Sequence, residues 1–281
     1  MRGALLLVLL FLATYVNAQN DRWAVGAQQA AIGFSNQTTS SPFSSFNNQA
    51  GLAQIEAFSA GIYFENRFLV DGINLFGLAA ALPTNSGTFG IGLHRYGNNA
   101  YSENKVKLAY GRKLVEKLDI GAEFEVGNIQ VEEYGSVFTI TFGLGAQFNI
   151  LDNVRLGAHL YNPIRFKLTD DDRDRLPTLI SLGAQYMPSD KVAIYLETQK
   201  NLDYRASFKG GVDYQLIKVL SIRAGFHTNP NMATFGLGLN LKPVLIDFAG
   251  TFHPQLGYAP HLGITYKGKK KENSATQPKD L

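Results

Sequence analysis

Between Ser136 and Ile150 the chain reads SVFTITFGLGAQFNI. Phe138, Ile140, Phe142, Leu144, Ala146, Phe148 and Ile150 take the even positions, and Thr139, Thr141, Gly143, Gly145, Gln147 and Asn149 the odd ones. Period two is the signature of a strand, because successive side chains leave the pleated backbone on opposite faces. One face is therefore oily and the other small or polar. A tilted strand crosses a bilayer in roughly 9–11 residues, and this alternation runs longer. It predicts a membrane-spanning strand.

The same rhythm recurs over residues 55–266, where turn residues divide it into fourteen predicted strands. These are Ile55–Phe64, Gly72–Leu82, Thr88–Tyr96, Asn104–Lys113, Leu118–Gln130, Ser136–Ile150, Val154–Tyr161, Leu179–Met187, Val192–Lys200, Ala206–Gln215, Leu220–Thr228, Met232–Leu241, Val244–His253 and His261–Tyr266. The connectors alternate between a short set, such as 151–153 and 242–243, and a mostly longer set, such as 65–71, 162–178 and 254–260. Bacterial outer-membrane barrels are built this way, with their short turns in the periplasm. An even strand count returns the chain to its starting side, so both termini are expected to be periplasmic.

Alternation alone does not say which face points outward. A soluble ligand barrel with an oily interior closes with about eight strands, whereas about fourteen enclose a lumen too wide for side chains to fill. The oily faces are thus expected to meet lipid. The predicted fold class is all-β: a transmembrane antiparallel up-and-down β-barrel of about 14 strands in the outer membrane of a Gram-negative cell. A soluble two-sheet sandwich is the competing arrangement. Phe64, Tyr96, Tyr101, Tyr161, Tyr186, Tyr195, Tyr258 and Tyr266, all near predicted strand ends, are assigned to the interfacial girdles.

Three segments fall outside the repeat. Residues 1–18 carry Arg2, an apolar run from Ala4 to Ala13, and Val16-Asn17-Ala18, which together read as a secretory signal peptide too short to span a bilayer. Residues 19–54 do not alternate and are rich in Ala, Gly, Ser, Gln, Asn and Thr, a composition that a flexible leader would explain. Residues 267–281 form a polar tail with five Lys against Glu272 and Asp280, read as a disordered periplasmic extension. The formal net charge of +3 belongs to these ends. The body between them is nearly neutral, which excludes nucleic acid as a partner on electrostatic grounds. The absence of cysteine excludes a disulfide framework.

Strand parity places Glu123, Glu125, Arg155, His159, Lys209, Asp213, Arg223, His227 and Asp247 in the lumen as its polar lining. Centring one hairpin on Lys218 sets Asp213 opposite Arg223 and Lys209 opposite His227. Such charges solvate and brace a wet lumen or hold a segment within it. No catalytic site emerges: there is no G-x-S-x-G, and the five His are scattered. His253 and His261 flank the last outer loop but have no third ligand nearby in sequence. The loop Asp170–Arg175 lacks the spacing of a calcium site. The chain is read as a non-enzyme with no cofactor and no metal.

Asn48-x-Ala50-Gly51-Leu52, directly before the first predicted strand, is similar to the N-P-A-G-L signature of the FadL-like outer-membrane barrels, with Gln49 where proline is usual. That group includes the PorV/PorQ-type proteins of type IX secretion in Bacteroidetes. Ile246-Asp247-Phe248-Ala249, Gln255-Leu256-Gly257-Tyr258 and His261-Leu262-Gly263-Ile264-Thr265-Tyr266 resemble the PorV/PorQ-type ending. The resemblance implies a fourteen-strand barrel with a luminal hatch, here residues 19–54, and Asn48, Ala50, Gly51 and Leu52 as the hatch motif. It further implies handling of protein cargo, with secretion-machinery subunits and exported proteins as partners besides outer-membrane lipid. The alternative is FadL-like uptake of small hydrophobic compounds such as fatty acids, which needs an apolar pocket at the hatch. Inward positions rich in Gly, Thr, Gln and charge favour the cargo reading.

Overall fold

The computed structural model describes residues 24–168 and 175–269. The signal peptide expected at 1–18, most of the acidic loop 170–175 and most of the basic tail lie outside the described residues. Fourteen strands follow in order: β1 (Ser59–Asn66), β2 (Asn74–Thr84), β3 (Gly87–Gly97), β4 (Tyr101–Val115), β5 (Leu118–Val131), β6 (Gly135–Leu151), β7 (Val154–Tyr161), β8 (Leu179–Ser189), β9 (Val192–Asn201), β10 (Ser207–Ile217), β11 (Leu220–His227), β12 (Met232–Asn240), β13 (Val244–His253) and β14 (Gly257–Lys267). Each pairs antiparallel with the next, and β14 pairs with β1 to close the barrel.

Closure satisfies the backbone of every strand, which lipid demands because it offers no hydrogen bonds. The side chains sort as the alternation predicts. On β6, Phe138 is 60% exposed and Leu144 51% on the outer face, while Thr139 and Thr141 are buried on the inner one. Among the described residues no helix is long and apolar enough to cross a membrane. The Lys218 hairpin also has the predicted register, with Asp213 opposite Arg223 and Lys209 opposite His227.

Most strand boundaries lie within three residues of the sequence reading, and two starts differ by four. β1 begins at Ser59 rather than Ile55, because Ile55 caps a 3-10 turn at Gln49–Gln54 and packs inside against Leu52, Ala81 and Ala109. β14 begins at Gly257 rather than His261, although Pro260 argues against a strand there. The β1–β14 ladder ends at Glu65 opposite His261, whereas the β13–β14 ladder continues through Gly250 opposite Pro260. Pro260 has no strand on its other side, so its missing N–H costs no ladder bond.

The girdle assignment is right for some rings and wrong for others. Tyr186 and Tyr266 are exposed on the outer face, but Tyr161 and Tyr195 are buried, at 2% and 6% exposure, on the inner one. Tyr96 and Tyr101 share the inward parity of their strands and meet edge to face at a ring separation of 6.3 Å. Closeness to a strand end sets depth in the membrane, whereas parity sets the face.

The six connections at one end are short, as at 85–86 and 152–153, and the other end carries the longer 67–73 and 162–178. β1 starts and β14 finishes at the short-turn end. Phe142 sits midway along β6 on the outer face. Phe142→Arg is expected to destabilise the barrel by about 2–4 kcal/mol, the cost of a cation at the bilayer midplane. Urea-dependent folding into phospholipid vesicles measures it.

Candidate functional site

The lumen is filled by the chain itself. Residues 24–54 run through it as one short helix α1 (Ala27–Ala31), 3-10 turns at Pro42–Ser45 and Gln49–Gln54, and irregular backbone between. Irregular backbone at membrane depth persists only where protein or water supplies its hydrogen bonds. The wall supplies them here. Glu197 Oε2 accepts the Asn36 and Gln37 amides at 2.7 and 3.2 Å. Thr234 Oγ1 accepts the Gly33 amide and donates to the Ala31 carbonyl, both at 3.0 Å. Gln147 Nε2 donates to the carbonyls of Gln37 and Thr39 at 2.9 and 3.2 Å. The polar run Ser35–Ser41, which by composition suits a solvated leader, is almost wholly buried.

Inward glycines let the segment lie directly on the sheet. A Cβ built at Gly121 on β5 would stand 2.4 Å from the Ala50 nitrogen, and one at Gly157 on β7 would stand 2.2 Å from the Gln37 oxygen. Gly211 on β10 and Gly225 on β11 meet the backbone of Ile32 and Gly33 in the same way. The small, polar face of the alternation is thus a docking surface for backbone.

Seven of the nine predicted inward ionisable residues fall in three groups. Lys107 Nζ lies 3.0 Å from Glu123 Oε2 and 2.7 Å from Glu125 Oε2, all three side chains being nearly inaccessible. Gln49 Nε2 donates to Glu123 Oε2 at 2.8 Å, His159 lies 3.1 Å from Gln49 Oε1, and the Tyr161 hydroxyl donates to Glu125 at 2.7 Å. The second group is Lys209, which donates to Glu197 at 3.0 Å and Gln199 at 3.1 Å. In the third, Arg223 bridges Asp213 at 2.7 Å and Asp247 at 2.6 Å. Arg155 stands apart, donating to Asn149 and the Thr38 carbonyl, and His227 meets the Pro230 carbonyl at 3.0 Å.

Asn48, Ala50, Gly51 and Leu52 are buried against the wall. Asn48 caps the last 3-10 turn by accepting from the Ala50 amide, and its Nδ2 donates to the Gln37 carbonyl at 2.8 Å. Gln49, where the resembled signature has proline, uses its side chain to join Glu123 and His159. Lys107, Glu197 and Tyr161 are members of these groups that the sequence list lacked. Lys107 is opposite Glu125 in the β4–β5 ladder, so the parity argument already contains it.

Toward the long-loop end the contacts turn apolar. Val25, Phe34, Phe43 and Phe46 of the luminal segment pack with Tyr63, Leu75 and Met232 of the wall. Leu75 and Met232 stand at the loop ends of β2 and β12. Phe34 is edge-on to His227 and His261 at 6.3 and 6.2 Å, and Phe46 is edge-on to His94 at 6.3 Å. His253 and His261 do not converge on one point. His261 is opposite Ala249, and its ring lies between the Tyr63 and Thr251 hydroxyls, whereas His253 is opposite Gly257 and edge-on to Phe68. Among the described residues no group of three His, Cys, Asp or Glu is placed to hold a metal ion.

Removing Lys107 strands two buried carboxylates. Lys107→Met is expected to cost about 3–5 kcal/mol, and adding Glu123→Gln and Glu125→Gln to recover most of it, as read from denaturation of the detergent-solubilised barrel. Gly121→Val is expected to expel the luminal segment and leave the barrel closed. Limited proteolysis would then cleave within 24–54 while the strand signal in circular dichroism is kept.

No protein-family model matches the chain, and no curated protein sequence matches it. Solved structures do. The Ralstonia pickettii toluene transporter TbuX superposes with a TM-score of 0.67 at 14% identity, over 89% of this chain and 100% of that one. The Pseudomonas putida toluene transporter TodX gives 0.64 at 13% identity, over 88% and 99%. A Pseudomonas aeruginosa FadL homologue gives 0.62 at 13% identity, over 86% and 98%. At these identities the likeness is one of fold, and this chain has the fold of the FadL-type barrels.

Proposed function

We propose that this chain is a non-enzymatic outer-membrane barrel that passes small hydrophobic compounds, with residues 24–54 as its hatch. The observation that carries this reading is the aromatic cluster of Phe34, Phe43, Phe46 and Tyr63 between hatch and wall on the long-loop side. The inward glycines and charges first favoured protein cargo. They are taken up by hatch backbone and by one another, so they do not describe a free, wet channel. Toward the loop end, beside the buried Glu65–Arg67 pair, the segment meets the wall through apolar and aromatic side chains, and a shift of the segment would free area that gains by burying an apolar molecule. The shared fold with structures named as toluene transporters supports the same reading.

The hatch occupies the lumen, so passage requires it to shift. Handling of type IX secretion cargo by the outer loops stands second, because the structures that share the fold are named as toluene transporters. Near-stoichiometric recovery of exported proteins with the barrel from native membranes would reverse that order.

A disulfide tests both passage and hatch motion. A Cβ at Gly263 would lie 3.1 Å from that of Ala27, close to the ~3.5–4.5 Å of a disulfide, and the chain has no cysteine of its own. The measurement is the initial rate of radiolabelled toluene and oleate uptake by Gram-negative cells lacking their own hydrophobe channels. The wild-type barrel is expected to raise uptake of these compounds but not of a sugar. The Ala27→Cys/Gly263→Cys barrel should do so only after reduction. Wild-type uptake no higher than in empty cells sinks the function; equal uptake by oxidised and reduced variant sinks only the moving hatch.

A further inference from the structure

The two rims of the barrel use their charges differently. At the long-loop end cations are paired: Arg67 with Glu65 at 2.8 Å, Lys105 with Glu103 at 2.8 Å and Arg165 with Asp203 at 3.1 Å. Four further exposed cations there, Arg95, Lys167, Lys200 and Arg205, stand among the exposed acids Asp71, Glu132 and Glu133. At the short-turn end Arg112, Lys113, Lys117, Lys191, Lys218 and Lys242 are all exposed. None of these six takes part in an ion pair among the described residues. With Lys267 and Lys269 at the end of β14 the exposed cations of this rim are eight among the described residues, and its exposed acids, Glu56, Glu116, Asp152 and Asp190, are half as many.

The outer aromatic belts differ in the same sense. Beside the long loops the outward rings are mainly phenylalanine, among them Phe76, Phe138, Phe208, Phe226 and Phe252. Beside the short turns four are tyrosine, Tyr110, Tyr186, Tyr214 and Tyr266, interleaved with Phe58, Phe89 and Phe148. Tyr110 rests against Phe89 and its hydroxyl donates to the Ser86 carbonyl in the turn, so the ring spans from apolar belt to polar rim. Amphipathic rings of this kind sit at headgroup level, which puts the unpaired cations among the lipid phosphates.

We propose that the short-turn rim is a binding surface for the phosphodiester headgroups of anionic glycerophospholipids. The tyrosine belt sets its depth and the six cations supply the charge. The Arg112 guanidinium presents the planar fork that suits two phosphate oxygens, and the lysines act as point charges on flexible stems. A zwitterionic headgroup cancels its own phosphate charge; an anionic one keeps it and gains from each unpaired cation. The surface rests on the barrel spanning a bilayer and is independent of what the lumen passes.

The test is native mass spectrometry of barrels taken from nanodiscs of equal parts phosphatidylcholine and phosphatidylglycerol. The wild-type protein is expected to retain phosphatidylglycerol several-fold over phosphatidylcholine, less so as salt is raised, because exposed charges are screened over about 8–10 Å. Replacing all six cations with Gln is expected to abolish the preference, while Arg95→Gln/Lys200→Gln/Arg205→Gln at the opposite rim keeps it. Lys218→Gln/Lys242→Gln, confined to turns, should weaken it partly and serves if the sixfold variant fails to insert. Equal retention of both lipids by the wild type, or equal loss in both rim variants, overturns the proposal. So does stronger retention of lipid A than of phosphatidylglycerol at the short-turn rim, which would assign the surface to lipopolysaccharide.

Discussion

The structure depends on one requirement: the irregular backbone of residues 24–54 must find hydrogen-bond partners inside a barrel that lipid surrounds. A barrel of fourteen strands leaves a lumen that side chains do not close. This chain fills it with its own N-terminal segment, and the wall is built to receive that segment. Glu197 accepts two consecutive amides, Thr234 bridges an amide and a carbonyl, and Gln147 reaches two carbonyls. Where the segment lies on the sheet, glycines such as Gly121 and Gly225 clear the space. A buried amide left unpaired costs as much as a lost hydrogen bond or more, so these inward side chains are answerable to particular atoms of the segment.

That requirement also explains the lumen's polarity. Lys107 pairs with both Glu123 and Glu125 in a site with almost no exposure. Such a buried trio is costly to desolvate and is a poor source of net stability, but it holds geometry tightly. Gln49 projects into it from the luminal segment. The third ion group, Arg223 with Asp213 and Asp247, takes up Gln28 at 3.4 Å. The charges thus orient the segment, and the aromatic cluster on the loop side lies beside a further buried pair, Glu65 with Arg67.

The outer surface answers to a different solvent. Its apolar faces satisfy lipid tails wherever they point outward, so they carry little information about function. The rims do carry some, because there the side chains meet headgroups or water. Paired cations and a mainly phenylalanine belt at one end, unpaired cations and a belt of mixed tyrosine and phenylalanine at the other, give the barrel two unlike ends.

The strand number, the lipid-facing set and the pairing of Asp213 with Arg223 followed from the sequence, because period two is local and a hairpin's parity depends only on its turn. The same rule contained Lys107. The start of β14 was not legible, since Pro260 is tolerated only because β1 stops short of it. Nor were the buried places of Tyr161 and Tyr195, because a position near a strand end gives depth and says nothing of the face. Composition suited 19–54 to a solvated leader, and the N-terminal motif implied a hatch without saying what would hold it. Only the closed barrel decides how 35–41 is bound, because its partners, Glu197 among them, lie some 160 residues away in sequence. Alternation is written into each strand by its own residues; what fills the space between fourteen strands is settled only when they meet.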